Sequence, residues 1–209
     1  MSTKTTANAP RRLVLASTSR YRSALLERLG LPFQVAPPGV DETALPGEAP
    51  AQTALRLAEA KARAVAVRYP DALVIGSDQI ADCAGVPVGK PGSREAALAQ
   101  LRTLSGKTVV FHTGVALVDA ASGRCNATLV DVASTFRTLD AAEIGAYLDR
   151  EAPFDCAGSV KSEGLGIALF EQIESSDPTA LIGLPLIALC RLLRGEGVDI
   201  LAPAETLTA

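Results

Sequence analysis

Residues 72–79 read ALVIGSDQ, an apolar run that gives way to a glycine, a serine, an acid and an amide. A short apolar run bounded by such residues predicts a buried strand over 72–75. An acid at the end of a buried strand lies at the carboxyl edge of a sheet, where open α/β sheets bind ligands. Asp78 therefore reads as a metal ligand or general base, with a turn-forming aspartate as the plain alternative. Leu13–Ala16 is a similar run, ending in STSR, and Phe33–Ala36 is a third strand candidate. Leu25, Leu26 and Leu29 give 21–29 helical spacing, with Gly30 as a stop. The alanine-rich stretch 51–68 carries Leu55, Ala58, Ala62 and Val65 at three-to-four spacing and predicts a long helix.

Further along, Ser93 caps a helix to Leu104, with Gly106 past its end. Strand-like runs at 109–118 and 128–136 flank the turn ASG at 121–123 and predict an antiparallel hairpin. Asp140 and Glu143 form a capping-box pattern for a helix to Arg150. Pro185 opens a last helix to Arg194. Strands and helices alternate early and a hairpin sits in the middle. The expected fold is α/β, a mixed twisted sheet flanked by helices, with two lobes around a cleft. The expected division is a tail at 1–11, one domain at 12–198 and a tail at 199–209.

Composition sets limits on function. The 209 residues are 48% hydrophobic and 21% charged, an ordinary globular balance. A net charge of −3 argues against a general nucleic-acid binder. No stretch has the roughly 20 apolar residues of a membrane span, and the first ten residues lack the apolar core of a signal peptide. The chain reads as soluble and cytoplasmic. Cys83, Cys125, Cys156 and Cys190 show no C-x-x-C spacing and read as small buried thiols in a reducing compartment. His112, the only histidine, lies in a strand-like run and reads as structural. Any metal must then be held by oxygens, which favours Mg²⁺ or Mn²⁺.

Other stretches carry chemistry. ASTSRYR at 16–22 joins a strand end to a helix start, where hydroxyls, free N–H groups and two arginines can grip phosphate. Ordinary capping by Ser19 reads equally well. Glu42 stands in a proline-rich loop, Lys61 in the alanine-rich helix and Lys90 in GKPG. In KSEGLG, 161–166, the glycines either bring backbone N–H groups to a ligand or shape a tight turn.

The order of these stretches is more specific than any one of them. ASTSRYR, VDET at 40–43, EAKA at 59–62, GSDQ at 76–79, GKP at 89–91 and AGSVKSEG at 157–164 resemble the Maf family of nucleotide pyrophosphatases, from about residue 13 to 197. The resemblance is closest to the YceF-like branch, which acts on 7-methyl-GTP. It implies a divalent metal cation and hydrolysis of a nucleoside triphosphate between its α and β phosphates. It makes Asp78 the proton acceptor, and Glu42 with Asp78 the metal-side carboxylates. Ser17, Arg22, Lys61 and Lys90 become phosphate contacts. A homodimer is a further family-level expectation.

Tyr21, Gln79 and Glu163 fall where the family's branches differ. The dTTP/UTP branch holds arginine, threonine and glutamine there; the 7-methyl-GTP branch holds an aromatic, glutamine and glutamate. Tyrosine stands here where tryptophan would stack more strongly. An aromatic face attracts the cationic N7-methylguanine ring by about 0.5–2 kcal/mol. A carboxylate matches the two parallel N–H donors of guanine and repels the oxygens of uracil. The expected function is house-cleaning hydrolysis of 7-methyl-GTP to 7-methyl-GMP and pyrophosphate. The alternatives are a dTTP/UTP or broader pyrophosphatase, and a non-catalytic nucleotide-binding regulator of cell division.

Overall fold

A computed structural model describes residues 11–201; the expected tails fall almost wholly outside them. One seven-stranded mixed sheet runs through the molecule. The strands are β1 (Leu13–Ala16), β2 (Phe33–Ala36), β3 (Leu73–Cys83), β4 (Val86–Val88), β5 (Thr108–Asp119), β6 (Cys125–Phe136) and β7 (Phe170–Ser175). Their order is β2-β1-β3-β5-β6-β7, with β4 paired to β3. β1 is parallel to β2 and β3; the remaining pairings are antiparallel. The helices are α1 (Arg20–Glu27), α2 (Pro50–Ala66), α3 (Arg94–Leu104), α4 (Ala141–Glu151) and α5 (Leu186–Gly195).

Side chains alternate between the faces of a strand, and that alternation separates two cores. Val14, Ala16, Val74, Ala116 and Val118 meet Ala58, Ala62 and Val65 of α2 on one face. Leu13, Leu15, Leu73 and Ile75 meet Leu25 and Leu26 of α1 and Leu189 and Leu193 of α5 on the other.

On the α2 face the sheet lacks a side chain where the helix crosses. A Cβ on Gly76 would lie 2.1 Å from the Ala58 carbonyl oxygen and 2.9 Å from the Ala62 Cβ. One on Gly114 would lie 2.6 Å from the Ala54 carbonyl oxygen. Glycines on the strands facing alanines on the helix let the two backbones approach closely. Helix-forming alanine thus serves here as much for its small size as for its propensity.

Three sequence expectations need correction. The strand expected over 72–75 continues through GSDQ to Cys83, so Asp78 lies within a strand rather than after one. The reason is that β5 pairs with β3 from Leu73 to Asp82, so polar side chains do not end the ladder. β7 was not expected, because the glycine-rich run before it hides a short, mostly exposed strand. The cysteines are free and half-buried rather than buried. The other expected strands and helices form within a residue or two of their predicted bounds, or a few at the first end of β6.

Candidate functional site

β1 stops at Ala16, opposite Gly76. Beyond Gly76, β3 keeps β5 on one side and gains β4 on the other only at Ala81. Among the described residues, the edge of β3 at 77–80 is therefore open on the side that β1 has left. Successive residues on this open stretch face opposite ways. Asp78 points toward α2, with Gly76. Ser77 and Gln79 point toward the loop at 180–183.

On the α2 face, Lys61 Nζ lies 2.6 Å from Asp78 Oδ1 and 2.6 Å from Glu42 Oε1. Lys61 is 4% exposed and Asp78 6%, whereas the Glu42 side chain is 59% exposed. A rooted acid and a loop acid thus share one ammonium group. Burial pushes the Glu42 carboxyl up. The Lys61 hydrogen bond and the charges of Lys61, Lys90 and Arg22 outweigh it and hold the group below its ordinary value. Burial pushes the Arg22 guanidinium down, against the pull of Asp78 and Glu42. An arginine stays charged in either case. Arg22, Glu42, Lys61, Asp78 and Lys90 thus share one field.

The loop that carries Glu42 is held by its own acid. Glu48 accepts two hydrogen bonds from Arg56, at 2.6 and 2.7 Å, one from Thr53 Oγ1 and one from the Leu45 amide. Its carboxyl falls to about 2, chiefly through Arg56.

Ser17 is 3% exposed, and its Oγ accepts from the Ser19 amide at 3.1 Å. Ser19 in turn caps α1. Of the two readings of the STSR turn, the capping by Ser19 is present. Ser19 caps, while Arg22 Nε donates to the Gly183 carbonyl at 2.8 Å. Ser77 Oγ donates to the same carbonyl at 2.9 Å. Gln79 Nε2 lies within 3.1 Å of Thr113 Oγ1 and of the Ala180 and Leu181 carbonyls. Three groups facing away from α2 thus tie down the 180–183 loop.

A cleft of about 650 Å³, open solvent at its mouth included, lies beside this loop and is lined by Tyr21, Arg22, Gln79, Lys90, Asp155 and Glu163, among others. The expected phosphate contacts Arg22 and Lys90 and the expected specificity residues Tyr21, Gln79 and Glu163 thus share one cavity. Ser17, Glu42, Lys61 and Asp78 lie outside its lining, and Arg22 and Lys90 reach Glu42 by their charge alone. Cys156 also lines the cleft. Burial pushes its thiol up to about 11, so it stays neutral.

The KSEGLG segment resolves in favour of the turn. The amides of Gly164 and Gly166 both donate to the Lys161 carbonyl at 3.1 Å. A Cβ on Gly166 would strike that carbonyl, and one on Gly164 would strike the Glu151 carboxylate. Lys161 is engaged with Glu151 at 2.5 Å. His112 bonds Asp131 at 2.7 Å and lies 3.5 Å from Asp82, away from the cleft lining.

One positioning residue escaped the sequence reading. Asp177, 2% exposed, accepts from the amides of Ile187 and Ala188 with Oδ2 and from Thr179 with Oδ1. It caps α5 and shapes the loop that Gln79 and Arg22 hold. The sequence SDPT carried the signal, an acid before proline and threonine ahead of an apolar helix.

A family profile described as Maf-like protein matches residues 12–196. The chain belongs to the Maf family. Among Maf relatives, a protein of Polaromonas sp. (strain JS666 / ATCC BAA-500) named 7-methyl-GTP pyrophosphatase is 59% identical, over 96% of this chain and 93% of its own. Proteins of the same name from Aromatoleum aromaticum and Burkholderia thailandensis are each 58% identical. The alignments cover 90% and 93% of this chain, and 96% and 92% of those proteins. A solved HAM1 protein from Coxiella burnetii is 18% identical, with a TM-score of 0.43, over 60% of this chain and 73% of that one.

Proposed function

We propose that this Maf protein hydrolyses 7-methyl-GTP to 7-methyl-GMP and pyrophosphate. The observation that carries the reading is the Glu42–Lys61–Asp78 bridge, which feels the charges of Arg22 and Lys90 in the lining of a cleft that also holds Tyr21, Gln79 and Glu163. The names of its close relatives support the same substrate.

Each group has a role. Arg22 and Lys90 bind the triphosphate between the cleft and the acid cluster, and Lys61 adds charge from below. Ser17 Oγ accepts from the Ser19 amide, and its own proton is free for a phosphate oxygen. Asp78 Oδ1 is occupied by Lys61. Oδ2 has no hydrogen-bond partner among the described residues, and it is the atom that takes the proton from the attacking water. Tyr21 and Glu163 recognise the base.

Among the described residues, no group of three or more His, Cys, Asp or Glu side chains comes together to hold a metal ion. Glu42 Oε1 and Asp78 Oδ1 both face the Lys61 ammonium group, which leaves one oxygen of each carboxylate as a hard donor. Mg²⁺ is commonly held by one or two carboxylates together with substrate phosphates. The pair fits a divalent cation that arrives with the nucleotide. When bound, it would supply charge at the phosphates and lower the pKa of nearby water. We place the enzyme in the cytoplasm, in keeping with its four free thiols. Among the described residues no helix is long and apolar enough to cross a membrane. A homodimer is the assembly proposed, and light scattering would test it.

The test is pyrophosphate release from a panel of triphosphates with Mg²⁺ or Mn²⁺. 7-methyl-GTP should be hydrolysed fastest and Asp78→Asn should be nearly inert. Faster release from UTP refutes the substrate, and full turnover by Asp78→Asn refutes the base.

A further inference from the structure

Tyrosine replaces the stronger stacker tryptophan in the base pocket, and its hydroxyl group needs a partner there. It accepts from Arg20 Nη2 at 2.8 Å and gives its own proton to an acid. Tyr21 Oη donates to the Asp155 carboxylate, 3.3 Å from each oxygen. Asp155 lines the cleft beside Cys156, with Glu163 a few residues further on. The one cation within 155–163, Lys161, is spent on Glu151, and Asp155 is met instead by Arg20, at 3.6 Å. The cleft lining thus holds the cations Arg22 and Lys90 and the acids Asp155 and Glu163.

The Tyr21–Asp155 pair already takes a flat cation. The Arg20 guanidinium carbon lies 4.8 Å from the Tyr21 ring centroid, and Arg20 Nη2 lies 3.6 Å from Asp155 Oδ2. N7-methylguanine is also a flat ring with a delocalised positive charge. Guanine has the same N1–H and N2–H₂ edge but lacks the methyl group and the charge. An aromatic face next to a carboxylate separates the two by charge.

We propose that Asp155 is a specificity-determining residue. It fixes the Tyr21 ring through the hydroxyl, and its charge selects the N7-methylated base over the unmethylated one. The inference rests on the 7-methyl-GTP reading above. It differs from the expected roles of Tyr21, Gln79 and Glu163 because it adds a second carboxylate, set against the tyrosine itself.

The experiment compares kcat/KM for 7-methyl-GTP and GTP, and the Kd of 7-methyl-GMP and GMP by calorimetry. It uses the wild type, Asp155→Asn, Asp155→Glu, Tyr21→Phe and the double variant Tyr21→Phe/Asp155→Asn. Asparagine keeps the shape and an acceptor and removes only the charge. An exposed charge of this kind should lower the methylated-to-unmethylated ratio about three- to fivefold. The loss should lie in KM for 7-methyl-GTP, with kcat and the GTP values little changed. Asp155→Glu should restore most of the ratio. Asp155→Asn should still lower it in the Tyr21→Phe background, because charge acts without the hydroxyl. A wild type that neither hydrolyses nor binds the methylated nucleotide in preference overturns the functional reading and this inference together. A wild-type preference that survives Asp155→Asn within twofold overturns this inference alone, as does an equal loss for both nucleotides.

Discussion

Gly76→Ala is the sharpest test of how the fold makes the site. The added methyl group would stand 2.1 Å from the Ala58 carbonyl oxygen and 2.7 Å from the Ala62 nitrogen. These are backbone atoms of α2 and cannot rotate aside. Carbon–oxygen contacts settle near 3.3 Å, so the helix must retreat by about 1 Å. Lys61 travels with its helix, while Asp78 stays in the sheet. Their 2.6 Å contact then opens to about 3.6 Å, beyond hydrogen-bond range. Overpacking of this kind costs about 1–3 kcal/mol, or roughly 2–12 °C in Tm at this chain length. A 1 Å misplacement of a working group costs about a hundredfold in rate. The assay is kcat/KM for pyrophosphate release, beside a thermal melt. Gly145→Ala is the control: it lies mid-helix in α4, and its methyl group would meet only Arg94, at 4.0 Å. It should stabilise the protein by about 0.5–1 kcal/mol and leave the rate alone. Wild-type kcat/KM in folded Gly76→Ala would refute the claim that this contact sets the position of the lysine.

Lys61→Met should unfold about 3–5 kcal/mol more easily, because it strands the buried Asp78; adding Asp78→Asn should recover stability and leave activity absent, measured by urea denaturation and turnover. Asp177→Ala should cost about 1–3 kcal/mol by uncapping α5. It should also lower turnover, since the loop held by Gln79 and Arg22 loses its other anchor. The Glu48 carboxyl sits near 2 when folded, against an ordinary 4.5. A depressed acid contributes stability above its unfolded value and loses it as pH falls through its folded value. Proteolytic nicking of the 42–49 loop should therefore rise between pH 4.5 and about 2 in the wild type. It should already be high at pH 5 in Glu48→Gln, and identical profiles would count against this anchor.

Most of the fold was legible because apolar periodicity and caps dominate it. Leu13–Ala16, the alanine-rich helix and the capping box at Asp140 each declare themselves locally. Asp78 was legible as a candidate acid through its neighbours in sequence, and the structure sets it on Lys61. Its place in mid-strand was not, since that depends on a ladder with β5, some 36 residues further along. The Lys61–Asp78 contact was equally hidden: it follows from Gly76 and Gly114, whose meaning appears only when α2 lies across them. The glycines of 161–166 misled in the other direction. Their freedom serves a turn over Lys161, and sequence alone could not separate that from an approach to a ligand. Asp155 drew no notice because an acid between phenylalanine and cysteine has no pattern of its own.

The bare crossing of α2 over β3 and β5 also limits how the family can drift. Positions 54, 58, 62, 76 and 114 fit as one piece, backbone against backbone. A larger residue at one of the glycines meets the helix backbone first, which no smaller side chain opposite can clear. No single step leads away from this arrangement without moving the lysine. The two carboxylates can vary only as far as that fixed ammonium group lets them. The geometry of the acid pair is thus protected by residues that carry no chemistry at all.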